Sequence, residues 1–426
     1  MELLRFEDSR KLLRLADSLE TNAIMGWLSA SGTVSKNQIT ALECLENIKK
    51  NYKSILTDYP TFRIKIKEKD NLQYWCYAND EDIKFDNLVK IVEDNQINDE
   101  VPKTYDPTIA PLWRVHISEI KDKVKIKLIA SHGIIDGRTV FDLFDLFASY
   151  ALNKEINEKL KKSKNQPVLY EFGKKDWFTK EIIESKIDDP FADIDIKDIQ
   201  INPKVSIPSH VINPQWDVEY PPISKFCRKH NITPQAILMA IQNEAIRIYN
   251  KGRIDDIPLA VYIPVDNRNS KYATELFKKS LFFSHVGIIM PFVTNEKDIL
   301  KNMKNCAEIL KKSLSTTKSC DIAYSSANMR DYETKKLTYP KNYPDPSKYI
   351  FASHLGLVGV GFDNVQFRSY SPVYENMYWP NLYGFHNKNT FSFMFNCPYN
   401  CPEDFIQSVK DTSMKYYDFI KKSQDI

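Results

Sequence analysis

The string Ser131-His132-Gly133-Ile134-Ile135-Asp136-Gly137 gathers the residue types that proton chemistry needs. A histidine titrates near pH 6.5, so His132 can take and return a proton at neutral pH. Asp136, four residues on, is either an acid that orients the imidazole or a structural anion. Gly137 either supplies an unusual backbone angle or leaves room for something that passes close. The chain holds only 7 histidines and 11 glycines in 426 residues. One histidine, one aspartate and two glycines within seven residues are therefore informative, and they make His132 a candidate general base.

Two regular elements must hold this string. Val124, Ile126 and Leu128 alternate with lysines, which predicts a strand that runs into Ser131. Val140, Phe141, Phe144, Phe147 and Ala151 form a stripe at helical spacing, which predicts a helix beyond Arg138. A side chain on a strand-to-helix turn is held by rigid neighbours and can still face a cavity. Strands are also predicted over 24–30, at Phe62–Ile66, over 72–77 and at Trp113–Ile117, and a helix over 36–57. Residues 153–205 are charged and punctuated by prolines, as a connecting segment would be. Thr233-Pro234 starts an apolar helix to Tyr249. Strands at 259–263, 282–292, 349–355 and 364–396 follow, with helices at 297–314 and 402–421. Leu12, Leu15, Ala16 and Leu19 recur at helical spacing beside Arg10, Lys11 and Arg14. That pattern predicts a helix packed on the first lobe, with a weak peripheral membrane contact as the alternative.

Mixed strands and helices in both halves predict an α/β (α+β) class with two lobes of similar size. The expected partition is 1–165 for the N-terminal lobe, 166–205 for a crossover linker and 206–426 for the C-terminal lobe. Hydrophobic content of 42% fits a globular chain, and 59 basic residues interleave with 56 acidic ones. That balance shows no basic stripe for nucleic acid. No apolar run reaches the roughly 18 residues of a spanning helix, and the first residues lack a signal-peptide core. Seven scattered cysteines read as reduced and cytoplasmic. Cys397 and Cys401 have no second ligand pair nearby, so no metal site is expected.

Further segments give the string a context. Tyr59-Pro60-Thr61-Phe62-Arg63 follows the first long helix, and Pro264-Val265-Asp266-Asn267-Arg268 follows a strand. Val286-Gly287-Ile288-Ile289-Met290-Pro291 and Ser353-His354-Leu355-Gly356 come later in order. In this order and spacing the chain resembles the coenzyme A-dependent acyltransferase superfamily, which includes non-ribosomal peptide condensation domains and alcohol O-acetyltransferases. The resemblance spans essentially the whole chain. It departs at Ser131, where condensation domains carry a first histidine, and at His354, where asparagine is usual. The first departure favours an O-acyltransferase-like member.

The resemblance implies two chloramphenicol-acetyltransferase-like lobes, each a mixed sheet with flanking helices, and a tunnel between them. It implies transfer of an acyl group, acetyl foremost, from acyl-coenzyme A to a hydroxyl or amine of a small acceptor, with His132 as general base. It also implies that Asp136 pairs with Arg268 and braces the loop together with Gly137. A backbone N–H near Gly137 or the Ser353 hydroxyl is the candidate oxyanion stabiliser. Tyr374, Tyr378 and Trp379 are candidate acceptor-pocket residues, and Lys278 and Lys279 are candidate contacts to coenzyme A phosphates. Acyl-coenzyme A is then a co-substrate, no cofactor is held permanently, and a monomer is expected. The competing expectations are a condensation-like enzyme fed by carrier-protein thioesters and a catalytically silent binding relative.

Overall fold

The computed structural model describes residues 12–16, 24, 26–93, 108, 110–166, 168–185, 191, 194–203, 211–281, 287–325, 345–358, 362–370 and 380–424. Among them run sixteen strands: β1 (Leu12–Leu15), β2 (Trp27–Ser35), β3 (Ile64–Lys69), β4 (Leu72–Tyr77), β5 (Val89–Ile91), β6 (Trp113–Ile120), β7 (Lys123–Ser131), β8 (Val211–Ile212), β9 (Gln215–Glu219), β10 (Leu259–Val265), β11 (Gly287–Ile289), β12 (Phe292–Val293), β13 (Ile350–Leu357), β14 (Asp363–Tyr370), β15 (Asn381–His386) and β16 (Thr390–Pro398). The main helices are α1 (Ala41–Asp58), α2 (Thr139–Ala151), α3 (Tyr220–His230), α4 (Pro234–Tyr249), α5 (Ile299–Leu314), α6 (Lys318–Ser325) and α7 (Glu403–Lys422).

The first lobe is built on a five-stranded sheet, β14-β2-β7-β6-β5. The second carries an eight-stranded sheet with the path β11-β10-β13-β15-β16-β8. A small β1-β4-β3 sheet completes the architecture. α1 begins at Ala41 rather than near 36 because Thr40 and Glu43 form a reciprocal capping box there. α4 starts where Thr233 and Pro234 predict, with the Thr233 hydroxyl accepting from the Ala236 N–H. Each lobe buries its own apolar core, and Leu355, Phe362, Val365 and Phe367 join the core of the first.

Three expectations change. Leu12–Leu15 is a strand paired with β4 at Tyr74–Cys76, and Ala16 is buried, so the helix expected to pack on the first lobe, with a membrane contact as the alternative, does not form over these residues. Leu19 and residues 10 and 11 lie outside the described residues. Residues 166–205 are not a bare linker, since Tyr170, Trp177 and Phe178 are fully buried in the first core. β14 also crosses over: it lies in the second half of the chain but pairs antiparallel with β2. The C-terminal segment 206–426 therefore supplies a strand to the first lobe. The lysines of β7, spaced as for a wet face, are turned inward. Lys125 reaches Gln366 of β14 at 3.3 Å, and Lys127 lies over the Tyr370 ring.

One motif glycine explains itself by space. A Cβ on Gly287 would lie 2.1 Å from the Ser319 carbonyl oxygen and 2.4 Å from Asn267 Nδ2. Those two groups already bond each other, with Asn267 Nδ2 donating to Ser319 O at 3.1 Å and Ser319 Oγ donating to Asn267 Oδ1 at 2.9 Å. Gly287→Ala is expected to cost ~1–3 kcal/mol or more by overpacking. Gly173→Ala, where the nearest atom is 3.7 Å from the added methyl, is expected to stay within ~0.5 kcal/mol. Urea denaturation of both variants is the check; equal stability would remove the steric account.

Candidate active site

His132 sits on the turn between β7 and α2, and the backbone on both sides of it is pinned. Ser131, the last residue of β7, donates its hydroxyl to Ile24 O at 2.8 Å and accepts from the Gly133 N–H at 3.0 Å. The His132 N–H donates to Gly26 O at 2.7 Å. From the segment that joins the lobes, Tyr170 donates its hydroxyl to Gly133 O at 2.6 Å. Ser131 and residues 133–136 are buried, whereas His132 itself is half-buried. Such a turn fixes the imidazole's Cα while keeping the side chain at a boundary. Ser131, which stands where condensation domains place a histidine, is spent on holding the backbone.

Asp136 serves two elements at once. Its Oδ1 accepts from the N–H groups of Arg138 (2.9 Å) and Thr139 (2.8 Å), and Thr139 Oγ1 accepts from the Asp136 N–H at 2.9 Å. That arrangement caps the start of α2. Its Oδ2 accepts from Arg268 Nη2 at 2.6 Å, across the boundary to the second lobe. Arg268 also donates through Nη1 to Leu281 O (2.5 Å) and through Nε to Asp266 Oδ1 (2.7 Å). Asp136 is 2% exposed and Arg268 8%. Burial alone would lower the Arg268 pKa; the Asp136 and Asp266 carboxylates reverse that and hold it above its ordinary value. Burial likewise pushes Asp266 up, and Arg268 overrides it and keeps that carboxyl below the usual range. Both carboxylate oxygens of Asp136 are engaged, Oδ1 by the helix start and Oδ2 by Arg268, which is the geometry of a brace between the lobes.

Gly137 is needed for space rather than for backbone angle. It is absent from the positive-φ glycines of the described residues, and a Cβ there would lie 2.8 Å from Leu355 Cδ2 on β13. The next residue, Arg138, was not singled out by its sequence. Its Nη1 donates to the carbonyls of Leu355 (3.0 Å) and Leu357 on the second lobe. The signal was a basic residue immediately after the Asp-Gly pair, which by itself marks nothing.

Ser353 is buried on β13, opposite Tyr383 of β15 in parallel register. Ile350 and Ala352 belong to the second core, whereas Phe351 packs on Tyr383, which in turn meets Phe367 of β14. Alternation along the strand puts Ser353 on the Phe351 face, toward the first lobe. His354 takes the other face. Its N–H donates to Gln235 Oε1 of α4 at 2.7 Å, and its ring stacks on His386, with centroids 5.4 Å apart. Burial, then His386 and Arg138, push its pKa down to about 3. Lys278 pairs with Glu275 at 3.0 Å, and both Lys278 and Lys279 are exposed on the short helix Glu275–Lys279. Tyr374, Tyr378 and Trp379 lie outside the described residues. Among the described residues, no group of three or more His, Cys, Asp or Glu is placed to hold a metal. No helix among them is long and apolar enough to cross a membrane.

No family model and no curated protein sequence matches this chain. Solved structures do. The epimerization domain from the third module of tyrocidine synthetase B superposes with a TM-score of 0.64 at 12% identity, covering 94% of this chain and 93% of that one. TRI101 of F. sporotrichioides, solved with coenzyme A and T-2, gives 0.59 at 11% identity over 93% and 96%. Polyketide synthase associated protein 5 from Mycobacterium tuberculosis gives 0.58 at 10% identity over 96% and 99%. The chain shares its fold with these proteins over nearly its whole length. Within that fold, the His132 turn belongs to the first lobe, and Arg268 and Ser353 to strands β10 and β13 of the second or their ends.

Two tests follow from this geometry. Arg268→Met leaves a buried carboxylate beside Asp266 and is expected to cost ~3–5 kcal/mol. Asp136→Asn keeps an acceptor for the helix start and is expected to cost less; urea denaturation ranks the two, and the reverse ranking would overturn the assigned roles. The second test is pH. An unfolded histidine takes a proton near 6.5, whereas folded His354 does so only near 3. Through that window protons favour the unfolded chain, so stability falls as pH drops below 6.5. His354→Asn is expected to flatten that fall between pH 6.5 and 4, and an unchanged slope would rule the residue out as a source.

Proposed function

We propose that this chain is an acyltransferase that moves an acyl group, acetyl first among them, from acyl-coenzyme A to the hydroxyl or amine of a small acceptor. The observation that carries the reading is the half-buried His132 on a turn whose backbone is pinned on both sides of it, at the seam between the two lobes. The coenzyme A in the TRI101 structure supports a coenzyme A donor here.

In this mechanism a ring nitrogen of His132 removes the acceptor's proton as its oxygen or nitrogen attacks the thioester carbonyl. The carbonyl becomes an oxyanion in a tetrahedral intermediate. Collapse breaks the carbon–sulfur bond, and the imidazolium returns its proton to the departing thiolate. The substrate thioester is already activated, so no acyl-enzyme is required. The backbone N–H groups of Arg138 and Thr139 are committed to Asp136, and the proposed oxyanion donors are the Ser353 hydroxyl and the Gly137 N–H. Lys278 and Lys279 are the proposed contacts for the coenzyme's phosphates, and Tyr374, Tyr378 and Trp379 for the acceptor.

A thiol-release assay with acetyl-coenzyme A and a panel of alcohols and amines tests the reading. His132→Ala is expected to lower kcat about 10²–10⁴-fold, and Ser353→Ala about 10²-fold. Full activity in His132→Ala would remove it as the base. Turnover confined to acyl groups carried on a phosphopantetheine protein would replace coenzyme A with a carrier-protein donor.

A further inference from the structure

We propose that Arg138 is a positioning residue, one that ties the His132 turn to β13 and so sets His132 in place only while the two lobes stay in register. The inference rests on the acyltransferase reading above and adds a residue to it.

The turn is fastened to the second lobe by two residues that flank Gly137. Asp136 reaches Arg268, just beyond the end of β10, and Arg138 reaches the end of β13, the strand beside β10 in the second sheet. Between them Gly137 packs against the Leu355 side chain. The two fastenings differ in kind. Asp136–Arg268 is deeply buried, so its loss strands a charge and unfolds the seam. The Arg138 side chain is 32% exposed. Removing it leaves no buried charge unpaired, because Lys159 still holds Asp142, and one of its two carbonyl partners belongs to the exposed Leu357.

β13 is shaped to receive this guanidinium. Its pairing with β15 slips between His354 and Gly356, and Gly356 adopts φ +84°. A left-handed residue between Leu355 and Leu357 kinks the strand and lets both carbonyls converge on one Nη1, where a regular strand would hold them a full two-residue repeat apart. A Cβ on Gly356 would sit 3.1 Å from that same nitrogen. On its other side the guanidinium lies 3.7 Å from Asp142 of α2, whose carboxylate Lys159 holds at 2.6 Å. Arg138 therefore joins β13 to the start of α2 and to the turn that carries His132.

The test compares wild type with Arg138→Met, Arg138→Lys, Gly356→Ala and the Arg138→Met/Gly356→Ala pair. Thermal unfolding is expected to stay cooperative in Arg138→Met. Its kcat is expected to fall about 10–100-fold, the scale on which small misplacements of a catalytic group act, with KM for acetyl-coenzyme A unchanged. Arg138→Lys restores part of the loss. Gly356→Ala reproduces it, and the pair loses no more than the worse single variant, because both break one contact. A raised KM with kcat intact would make Arg138 a substrate contact, and additive losses would break its link to Gly356; either overturns the proposal. The rate at which diethyl pyrocarbonate modifies His132, read by peptide mass spectrometry, needs no turnover. Arg138→Met and Gly356→Ala are expected to shift it alike. An unchanged rate overturns the proposal even if no thioester is turned over, an outcome that would count against the acyltransferase reading alone.

Discussion

A carboxylate and a guanidinium buried across the seam between two lobes govern the rest of this molecule. Asp136 and Arg268 depend on each other in that environment, because stranding a buried charge costs ~3–5 kcal/mol, a large share of a typical net stability of about 5–15 kcal/mol. Their pairing therefore fixes the relation of the first lobe to the second, and it does so at the turn that carries His132. The same Asp136 carboxylate starts helix α2, so the orientation of that helix and the closure of the lobes are set by one group. Asp266 and the Leu281 carbonyl complete the guanidinium's partners and carry the constraint into the second sheet.

Around that constraint the turn is built almost wholly from backbone contacts. Ser131, Tyr170 and the Gly26 carbonyl hold the peptide groups beside His132 without calling on its ring. The contacts that pin the turn run through its backbone and through Ser131, not through the His132 imidazole. The fold itself is shared with an epimerization domain and with a protein solved with coenzyme A. Its reaction must therefore be argued from the site and not from the architecture.

How much of this was legible in the sequence depends on range. The His132 turn was visible because a strand period of two and a helix period of 3.6 meet there, and because glycine is scarce. Asp136 and Arg268 were paired by resemblance alone, since nothing local distinguishes one arginine among many. Arg138, Tyr170 and the inward lysines of β7 went unread for the same physical reason. Their partners lie far along the chain, and no period or propensity records them. Leu12 and Leu15 misled because a spacing of three marks one face of a helix, whereas pairing with β4, which no local pattern records, makes the segment a strand. Gly137 has no positive φ, and the atom nearest to a Cβ there would be the tip of the Leu355 side chain, a neighbour no local pattern records.

β14 has a consequence for how the chain is made. Until residues 363–370 have been synthesised, β2 (Trp27–Ser35) lacks its outer neighbour, and a strand that is almost entirely buried in the finished protein forms an open sheet edge. At roughly 5–20 residues per second, translation leaves that edge unpaired for tens of seconds. An open edge of this kind recruits strands from other chains. The nascent first half is thus the aggregation-prone stage of this protein's life, and two halves expressed separately would have to exchange a strand before either sheet could be complete.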